Sequence, residues 1–308
     1  MAEQAVRVPA AVASEFVLRS DVDGFRLQAY RWPTARALEG VIVVAHGSAE
    51  HALRYSRLAT ALAEQGFETW AIDHRGHGRS PGANGLGDFG TARWDGLIAD
   101  IAQLVRTARA EQRDAPLALL GHSMGAFAAQ HFCTLHSELI DAVVLSGTTC
   151  FELPEELTEM PTFDFNAGFA PPRTPYDWLS RDEAEVDKYI ADPACGFEAV
   201  AYPFSVQDLR NLSAPAALAN IRGDLPLLLL AGDKDPLNAG LFMLQLLEQK
   251  LRAAGLEQID KRFYEGGRHE MFNEINRDEV TGDLIDWLKT TLRSTAVRES
   301  FIRYSGSR

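Results

Sequence analysis

The sequence is poor in cysteine. Its three cysteines, Cys133, Cys150 and Cys195, lie far apart in a chain of 308 residues. Three scattered thiols are too few for a disulfide framework or for a structural zinc site. This scarcity favours a protein of a reducing compartment, and we expect no metal ion.

Long apolar runs and excess basic charge are also missing. The longest apolar run, LPLLLLAG at 225–232, has the length of a strand, whereas a membrane-spanning helix needs roughly 18 apolar residues. The first residues, MAEQAVRVPAAVASEF, lack the basic and apolar regions of a signal peptide. The net charge of −13 disfavours binding to nucleic acid or to anionic lipid. We expect a soluble, cytoplasmic protein with no nucleic-acid partner and at most transient contact with a membrane surface.

From residue 41 onwards, short apolar runs alternate with amphipathic helical patterns. The apolar runs cover 41–46, 68–73, 116–122, 141–147, 226–232 and 261–266. The helical patterns cover roughly 53–65, 91–111, 124–136, 238–254 and 277–292. Runs this short and this apolar are typical of parallel strands buried on both faces. The alternation predicts a mostly parallel, doubly wound α/β sheet, preceded by a hairpin that turns at Asp23-Gly24.

Residues 148–222 interrupt this alternation. They contain many prolines and aromatic residues and no clear strand run. A loop of this length inside a compact domain is improbable unless it is functional. We therefore expect a mainly helical cap at 148–222 over the carboxyl edge of the sheet, a core formed by 1–147 and 223–292, and a weakly held tail at 293–308.

The predicted cap is rich in large apolar side chains. They can pack the cap onto the core, and we expect this of most of them. A subset can instead line a tunnel for an acyl chain, since burial of each CH₂ contributes roughly 0.8 kcal/mol. The residues are Phe151, Leu153, Leu157, Met160, Phe163, Phe165, Phe169, Phe197, Tyr202 and Phe204.

The segment GHSMG at 121–125 matches the pattern G-x-S-x-G between a strand run and a helical pattern. A sharp strand-to-helix turn needs small neighbours and raises the serine hydroxyl above the sheet. A structural glycine-rich turn is the alternative interpretation. The placement between strand and helix favours Ser123 as a nucleophile.

A serine hydroxyl needs a base to take its proton, and the base needs an acid to orient it. Of eight histidines, only His269 follows the last strand run, in the loop YEGGRHE. The segment AGDKDPLN offers two acids, Asp233 and Asp235, directly after the strand run before it. Spacing slightly favours Asp235, and the other aspartate would cap the turn.

The tetrahedral intermediate of acyl transfer also needs backbone N–H donors. We expect one from Met124, which follows the candidate nucleophile. The loop HGSAEH at 46–51 follows the strand run VIVVAH, and Gly47 allows it to turn back towards Ser123. The N–H of Ser48 is the predicted second donor.

Five segments, HGSAEHALRY, DHRGHGRS, GHSMG, AGDKDPLN and EGGRHE, occur in the order and spacing of the α/β-hydrolase superfamily. They resemble its monoacylglycerol lipase and lysophospholipase branch, whose H-G-x-x-E-H-x-x-R-Y signature reads here from His46 to Tyr55. The likeness covers roughly residues 14–292. It implies Ser123 as nucleophile, His269 as base, Asp235 as acid, and Ser48 and Met124 as oxyanion donors.

The resemblance implies a serine hydrolase that needs no cofactor and cleaves single-chain lipid esters such as monoacylglycerols or lysophospholipids. The same residues could serve a short-chain esterase, a thioesterase, a peptidase or an acyltransferase. A non-catalytic ligand-binding protein is the alternative outside enzymes. Acyl length, head group and oligomeric state are not indicated by the sequence.

Overall fold

The computed structural model describes residues 13–159, 163–199 and 202–305. Within these residues, eight strands form one sheet in the order β1-β2-β4-β3-β5-β6-β7-β8. The strands are β1 Ser14–Arg19, β2 Arg26–Trp32, β3 Gly40–Ala45, β4 Phe67–Ile72, β5 Leu117–His122, β6 Ala142–Ser146, β7 Leu227–Gly232 and β8 Ile259–Tyr264.

The sheet is antiparallel at one edge and parallel elsewhere. Strand β1 pairs antiparallel with β2, and β2 pairs antiparallel with β4. All other neighbouring strands are parallel. The predicted hairpin is confirmed, and Gly24 in its turn has a φ of 71°, a left-handed conformation that glycine adopts without steric cost.

The parallel strands are buried on both faces, as their apolar runs predicted. Every residue of β3, β4, β5, β6 and β7 is buried. Along β7, Leu227 and Leu229 belong to one hydrophobic cluster, whereas Leu228 and Leu230 belong to the other. Because successive strand side chains point to opposite faces, helices must cover both sides of this sheet.

The helices are α1 Ser56–Glu64, α2 Arg93–Glu111, α3 Met124–His136, α4 Glu183–Ala191, α5 Val206–Leu212, α6 Pro215–Leu218, α7 Phe242–Ala253 and α8 Arg277–Ser305. A turn of 3₁₀-helix, Ala52–Tyr55, leads into α1. Helix α8 runs past the predicted end at 292 and includes most of the segment expected to be a tail. None of the described helices is long and apolar enough to cross a membrane.

The 148–222 segment lies between β6 and β7. Its regular structure is helical within the described residues, but α4, α5 and α6 are short and irregular chain joins them. Prolines explain this pattern, because a proline lacks the N–H that continues a helix. Phe151 packs edge-on against Phe127 of α3, and Phe204 against Trp94 of α2. Part of the apolar set therefore holds the segment on the core; Met160 lies outside the described residues.

Candidate active site

Ser123 occupies a strained turn between β5 and α3. Its φ of 53° and ψ of −121° lie in a region that residues with a side chain rarely adopt. Both flanking glycines are required sterically: a Cβ on Gly125 would overlap the carbonyl oxygen of Ala45, and one on Gly121 would overlap that of Gly125. Ser123 is half-buried, whereas His122 and Met124 are buried. The turn therefore presents the serine at the surface of a tightly packed strand-to-helix junction.

The N-terminus of α3 begins directly at this turn. Met124 is the first residue of the helix, and the first N–H groups of a helix have no intrahelical acceptor. The helix macrodipole places partial positive charge at the same point. An anion formed beside Ser123 would therefore meet a donor and a favourable field.

The loop at 46–51 passes beside Ser123. A Cβ built on Gly47 would lie 3.2 Å from the Cβ of Ser123. The Gly47 N–H donates to Glu50 Oε1 at 2.5 Å, and the next residue, Ser48, is exposed. The loop brings Gly47 against the serine, and Ser48 follows it.

His269 and Asp235 form a buried pair. His269 Nδ1 donates to Asp235 Oδ2 at 2.9 Å, and the two residues are 2% and 1% exposed. The other aspartate has a different partner, because Asp233 Oδ1 accepts from the Gly266 N–H at 2.7 Å. Of the two aspartates considered from the sequence, Asp235 is the one that contacts His269, and Asp233 holds the turn after β8.

Charge on the neighbours determines how His269 titrates. Burial alone would lower its pKa, but the carboxylates of Asp235, Glu270 and Glu50 outweigh burial and raise it. His122, with its ring centroid 4.8 Å away, behaves in the opposite way, since burial and His269 lower its pKa to about 4. His269 can thus accept a proton where His122 stays neutral.

The second ring nitrogen of His269 lacks a partner. Nε2 is buried and makes no hydrogen bond to the described part of the chain. Gly147, which follows β6, leaves room at this point: a Cβ there would lie 2.9 Å from His269 Cε1 and 3.0 Å from His122 Cε1. Ser123 is tied to the same strand end, because its N–H donates to the carbonyl of Ser146 at 2.9 Å.

The 148–222 segment contributes a residue that the sequence analysis missed. Trp178 lies against His269, with ring centroids 4.8 Å apart. Phe165 stacks on Trp178, with ring centroids 4.6 Å apart. Both rings line a cavity of about 370 Å³, together with residues that include Phe163, Asn166, Pro172 and Pro175. No local pattern around Trp178 indicates this contact, because the fold alone brings it to His269.

One group of potential metal ligands occurs among the described residues. His51, Asp192 and Cys195 offer ligand atoms within 4.8 Å of one another. His51 Nε2 is already hydrogen-bonded to Asp192 at 2.9 Å, and burial raises the pKa of the Cys195 thiol to about 12. The bond between His51 and Asp192 joins the 46–51 loop to the 148–222 segment.

Known proteins share this architecture. Residues 36–276 match the family described as serine aminopeptidase, S33. The chain belongs to this family. Monoglyceride lipase of Rattus norvegicus is 30% identical over 283 residues, which cover 88% of each chain. Monoacylglycerol lipase of Mycolicibacterium smegmatis is 30% identical over 282 residues, 88% of this chain and 95% of the relative.

A solved structure agrees with the S33 assignment at the level of the fold. The thermostable carboxyl esterase from Bacillus coagulans superposes with a TM-score of 0.81 at 24% identity, over 91% of this chain and 99% of the other. The S33 member described here therefore has the α/β-hydrolase fold and is a serine hydrolase, as the sequence motifs predicted.

Proposed function

We propose that this enzyme hydrolyses carboxylic esters of single-chain lipids, either monoacylglycerols or lysophospholipids, through an acyl-enzyme on Ser123. The observation that carries the proposal is the buried pair of His269 and Asp235 beside the end of β6. The His269 ring lies against Gly147, the Ser123 N–H is bonded to the carbonyl of Ser146, and His269 Nε2 has no partner among the described residues. A buried imidazole nitrogen without a partner can accept a proton, and the proposal assigns the Ser123 hydroxyl as the group that gives it up.

In the proposed mechanism, Ser123 Oγ attacks the ester carbonyl while His269 Nε2 takes the hydroxyl proton. Asp235 holds the imidazole through Nδ1 and stabilises the imidazolium that forms. The N–H groups of Ser48 and Met124 bind the oxyanion. His269 returns the proton to the leaving alcohol, then activates water to release the fatty acid from Ser123. No cofactor takes part in these steps.

The lipid substrate is supported by the relatives and by the cavity. Relatives at 30% identity are monoglyceride lipases, and a shorter match over 36% of this chain is a probable lysophospholipase L2 of Haemophilus influenzae. The cavity beside Trp178 is lined by three aromatic rings, two prolines and two alanines, besides Asp164 and Asn166. Such a surface would bind an alkyl chain, because each buried CH₂ contributes roughly 0.8 kcal/mol.

The proposal also covers the domain organisation of the enzyme, its location and its contact with membranes. The division into a core and a cap at 148–222 is part of this proposal, as is a cytoplasmic location. Phe163 and Tyr202 are 52% and 59% exposed, so the cap can touch a lipid surface. The net charge of −13 keeps that contact transient on anionic membranes.

Substitution of the nucleophile tests the mechanism. We expect Ser123→Ala to abolish hydrolysis of p-nitrophenyl esters and labelling by a fluorophosphonate, with the thermal midpoint of unfolding close to that of the unmodified enzyme. Ser14→Ala is the matched control, because Ser14 is an exposed serine in β1. Unchanged turnover by Ser123→Ala would exclude Ser123 as nucleophile.

A substrate panel tests the specificity. Monoacylglycerols and lysophospholipids of increasing chain length are compared with short esters, acyl thioesters and aminoacyl anilides, and with added alcohols as acyl acceptors. We expect kcat/KM to rise with chain length on the lipid esters. A preference for thioesters, for anilides, for short esters or for transfer to alcohol would assign one of the other reactions of this triad. Labelling without turnover of any of them would identify a binding protein.

A further inference from the structure

Arg54 lies between two buried carboxylates. Its Nη1 donates to Glu50 Oε2 at 2.6 Å and to Glu270 Oε1 at 2.7 Å, while Nη2 donates to Glu270 Oε2 at 2.7 Å. The three side chains are nearly inaccessible, with exposures of 11% for Arg54, 3% for Glu50 and 7% for Glu270. A guanidinium fork is the side chain that can hold two carboxylates in fixed directions.

One carboxylate holds the loop at 46–51. Glu50 Oε1 accepts the N–H of Gly47 at 2.5 Å and the hydroxyl of Tyr55 at 2.8 Å. Glu50 thereby fixes the peptide N–H of Gly47. The next peptide, which carries the Ser48 N–H, is held at its Gly47 carbonyl by His46 Nδ1 at 2.8 Å. Glu50 is therefore one of two side chains that anchor the proposed oxyanion loop.

The other carboxylate belongs to the residue next to His269. Besides Arg54, Glu270 Oε2 accepts from Asn273 Nδ2 at 2.9 Å, and the Glu270 N–H donates to the carbonyl of Leu179 at 2.7 Å. Both the side chain and the backbone of Glu270 are thus fixed. The backbone position of His269 follows from that of its neighbour.

We propose that Arg54 is a positioning residue, which fixes the loop of Ser48 and the loop of His269 relative to each other through Glu50 and Glu270. The proposal deepens the function proposed above and rests on the roles given there to Ser48 and His269. It predicts that a change at Arg54 impairs the chemical step at Ser123 although no atom of Arg54 is assigned to the reaction.

The same residues also set the charge around His269. The charged and titratable groups that act on His269 are Asp235, Glu270, Glu50 and His122, and Arg54 is paired with both glutamates. Arg54 compensates only one of the two glutamates, so negative charge remains near the imidazole, and the carboxylates raise the pKa of His269. Removal of one carboxylate should therefore lower that pKa.

Arg54→Lys separates geometry from charge. Lysine keeps the positive charge but cannot form the two parallel bonds to Glu270 and the third to Glu50. We expect kcat to fall on the order of 10²-fold, since a displacement of about 1 Å can have this effect, with KM changed less than about 3-fold. The second-order rate of fluorophosphonate labelling at Ser123 should fall with kcat, and circular dichroism should be unchanged. Full activity in a folded Arg54→Lys enzyme would overturn the proposal.

Glu270→Gln provides a readout that a merely structural role would not change. The amide keeps the size of the side chain but removes the charge beside His269. Because the base must be neutral and its pKa is lowered, we expect the acid limb of the kcat/KM profile to move to lower pH. Glu185→Gln is the matched control, since Glu185 also pairs with an arginine, Arg57, between the core and the 148–222 segment. An unmoved limb together with unchanged kcat in Glu270→Gln, or equal changes in Glu185→Gln, would overturn the proposal.

Failure of this inference can be distinguished from failure of the proposed function. If Ser123→Ala loses turnover and labelling while Arg54→Lys keeps both, the triad stands and the positioning role is wrong. If Ser123→Ala keeps turnover, the proposed mechanism is wrong, and the positioning role falls with it.

Discussion

A cluster of three buried histidines and the single buried histidine His269 differ in what surrounds them. His46, His74 and His77 pack on one another, with ring centroids 4.1 Å apart for His46 and His74 and 5.2 Å for His46 and His77. Burial lowers the pKa of His46 to about 4 and that of His77 to about 3. His269 is as deeply buried, yet its pKa is raised because Asp235 and two glutamates surround it. Glu50 also acts to raise the pKa of His46 and His77, but there burial outweighs it. His269 differs because a carboxylate, that of Asp235, is bonded directly to its ring.

The largest expected effect comes from removing the carboxylate that holds the proposed base, His269. Asp235→Asn keeps the shape of the side chain but no longer stabilises the imidazolium, and it can favour the wrong tautomer. We expect kcat to fall by roughly 10³- to 10⁴-fold, measured with a p-nitrophenyl ester at the pH optimum. Asp233→Asn is the control, because Asp233 contacts the Gly266 N–H instead of His269. Equal losses in the two variants would contradict the assignment of the acid.

A smaller effect, on the pH dependence of the free energy of unfolding, should follow from replacing a histidine in the cluster of His46, His74 and His77. The pKa of His77 in the folded protein is below the ordinary value of 6.5, so the unfolded chain binds a proton that the folded chain does not. Stability should be fully present above pH 6.5 and be lost as the pH falls towards 3. Between pH 7 and pH 5 this loss amounts to about 2 kcal/mol for one such histidine.

His77→Asn tests this contribution by urea unfolding at both pH values. Asparagine can still donate to the carbonyl of Arg75, as His77 Nδ1 does at 3.1 Å. We expect the decrease in unfolding free energy between pH 7 and pH 5 to be smaller by about 2 kcal/mol than in the unmodified protein. His136→Gln is the control, since His136 is only partly buried. The same decrease in His77→Asn and in the unmodified protein would show that His77 is not neutral in the fold.

The smallest effect concerns the pH profile of the unmodified enzyme. The general base must be neutral, and carboxylates raise the pKa of His269. We expect kcat/KM for a neutral ester to increase with pH, with a midpoint above the ordinary value of 6.5. A midpoint below 6.5 would mean that burial outweighs the carboxylates at His269, and the contrast with the neutral cluster would disappear.

The sheet and the serine turn were predictable because their causes are local. The apolar runs predicted β3 to β7 to within about two residues, since a strand buried on both faces must be apolar at successive positions. The turn at Ser123 was predictable from Gly121 and Gly125. At both positions a Cβ atom would overlap a backbone carbonyl oxygen, so only glycine fits. Spacing favoured Asp235 over Asp233 only slightly, since both follow β7, and the folded loops show that Asp235 is the one that contacts His269.

The 148–222 segment was the least predictable region. Its prolines indicated interrupted structure, but they did not indicate that Trp178 would contact His269 or that Phe165 would stack on Trp178. The network of Glu50, Arg54 and Glu270 was also missed. Glu50 and Arg54 stand in the quoted signature, yet their partner is 216 residues away from Arg54 along the chain.

The sequence by itself determined the fold class, the strand-to-helix turn that carries Ser123, and the order in which the proposed nucleophile, acid and base occur. These properties depend on periodicity and on steric limits at neighbouring residues. The tertiary structure decided which aspartate holds His269, what lies over it, and how charge is distributed around it. Such properties depend on distances between residues far apart in the chain. Burial lowers the pKa of a histidine, and carboxylates that the fold brings against it raise that pKa.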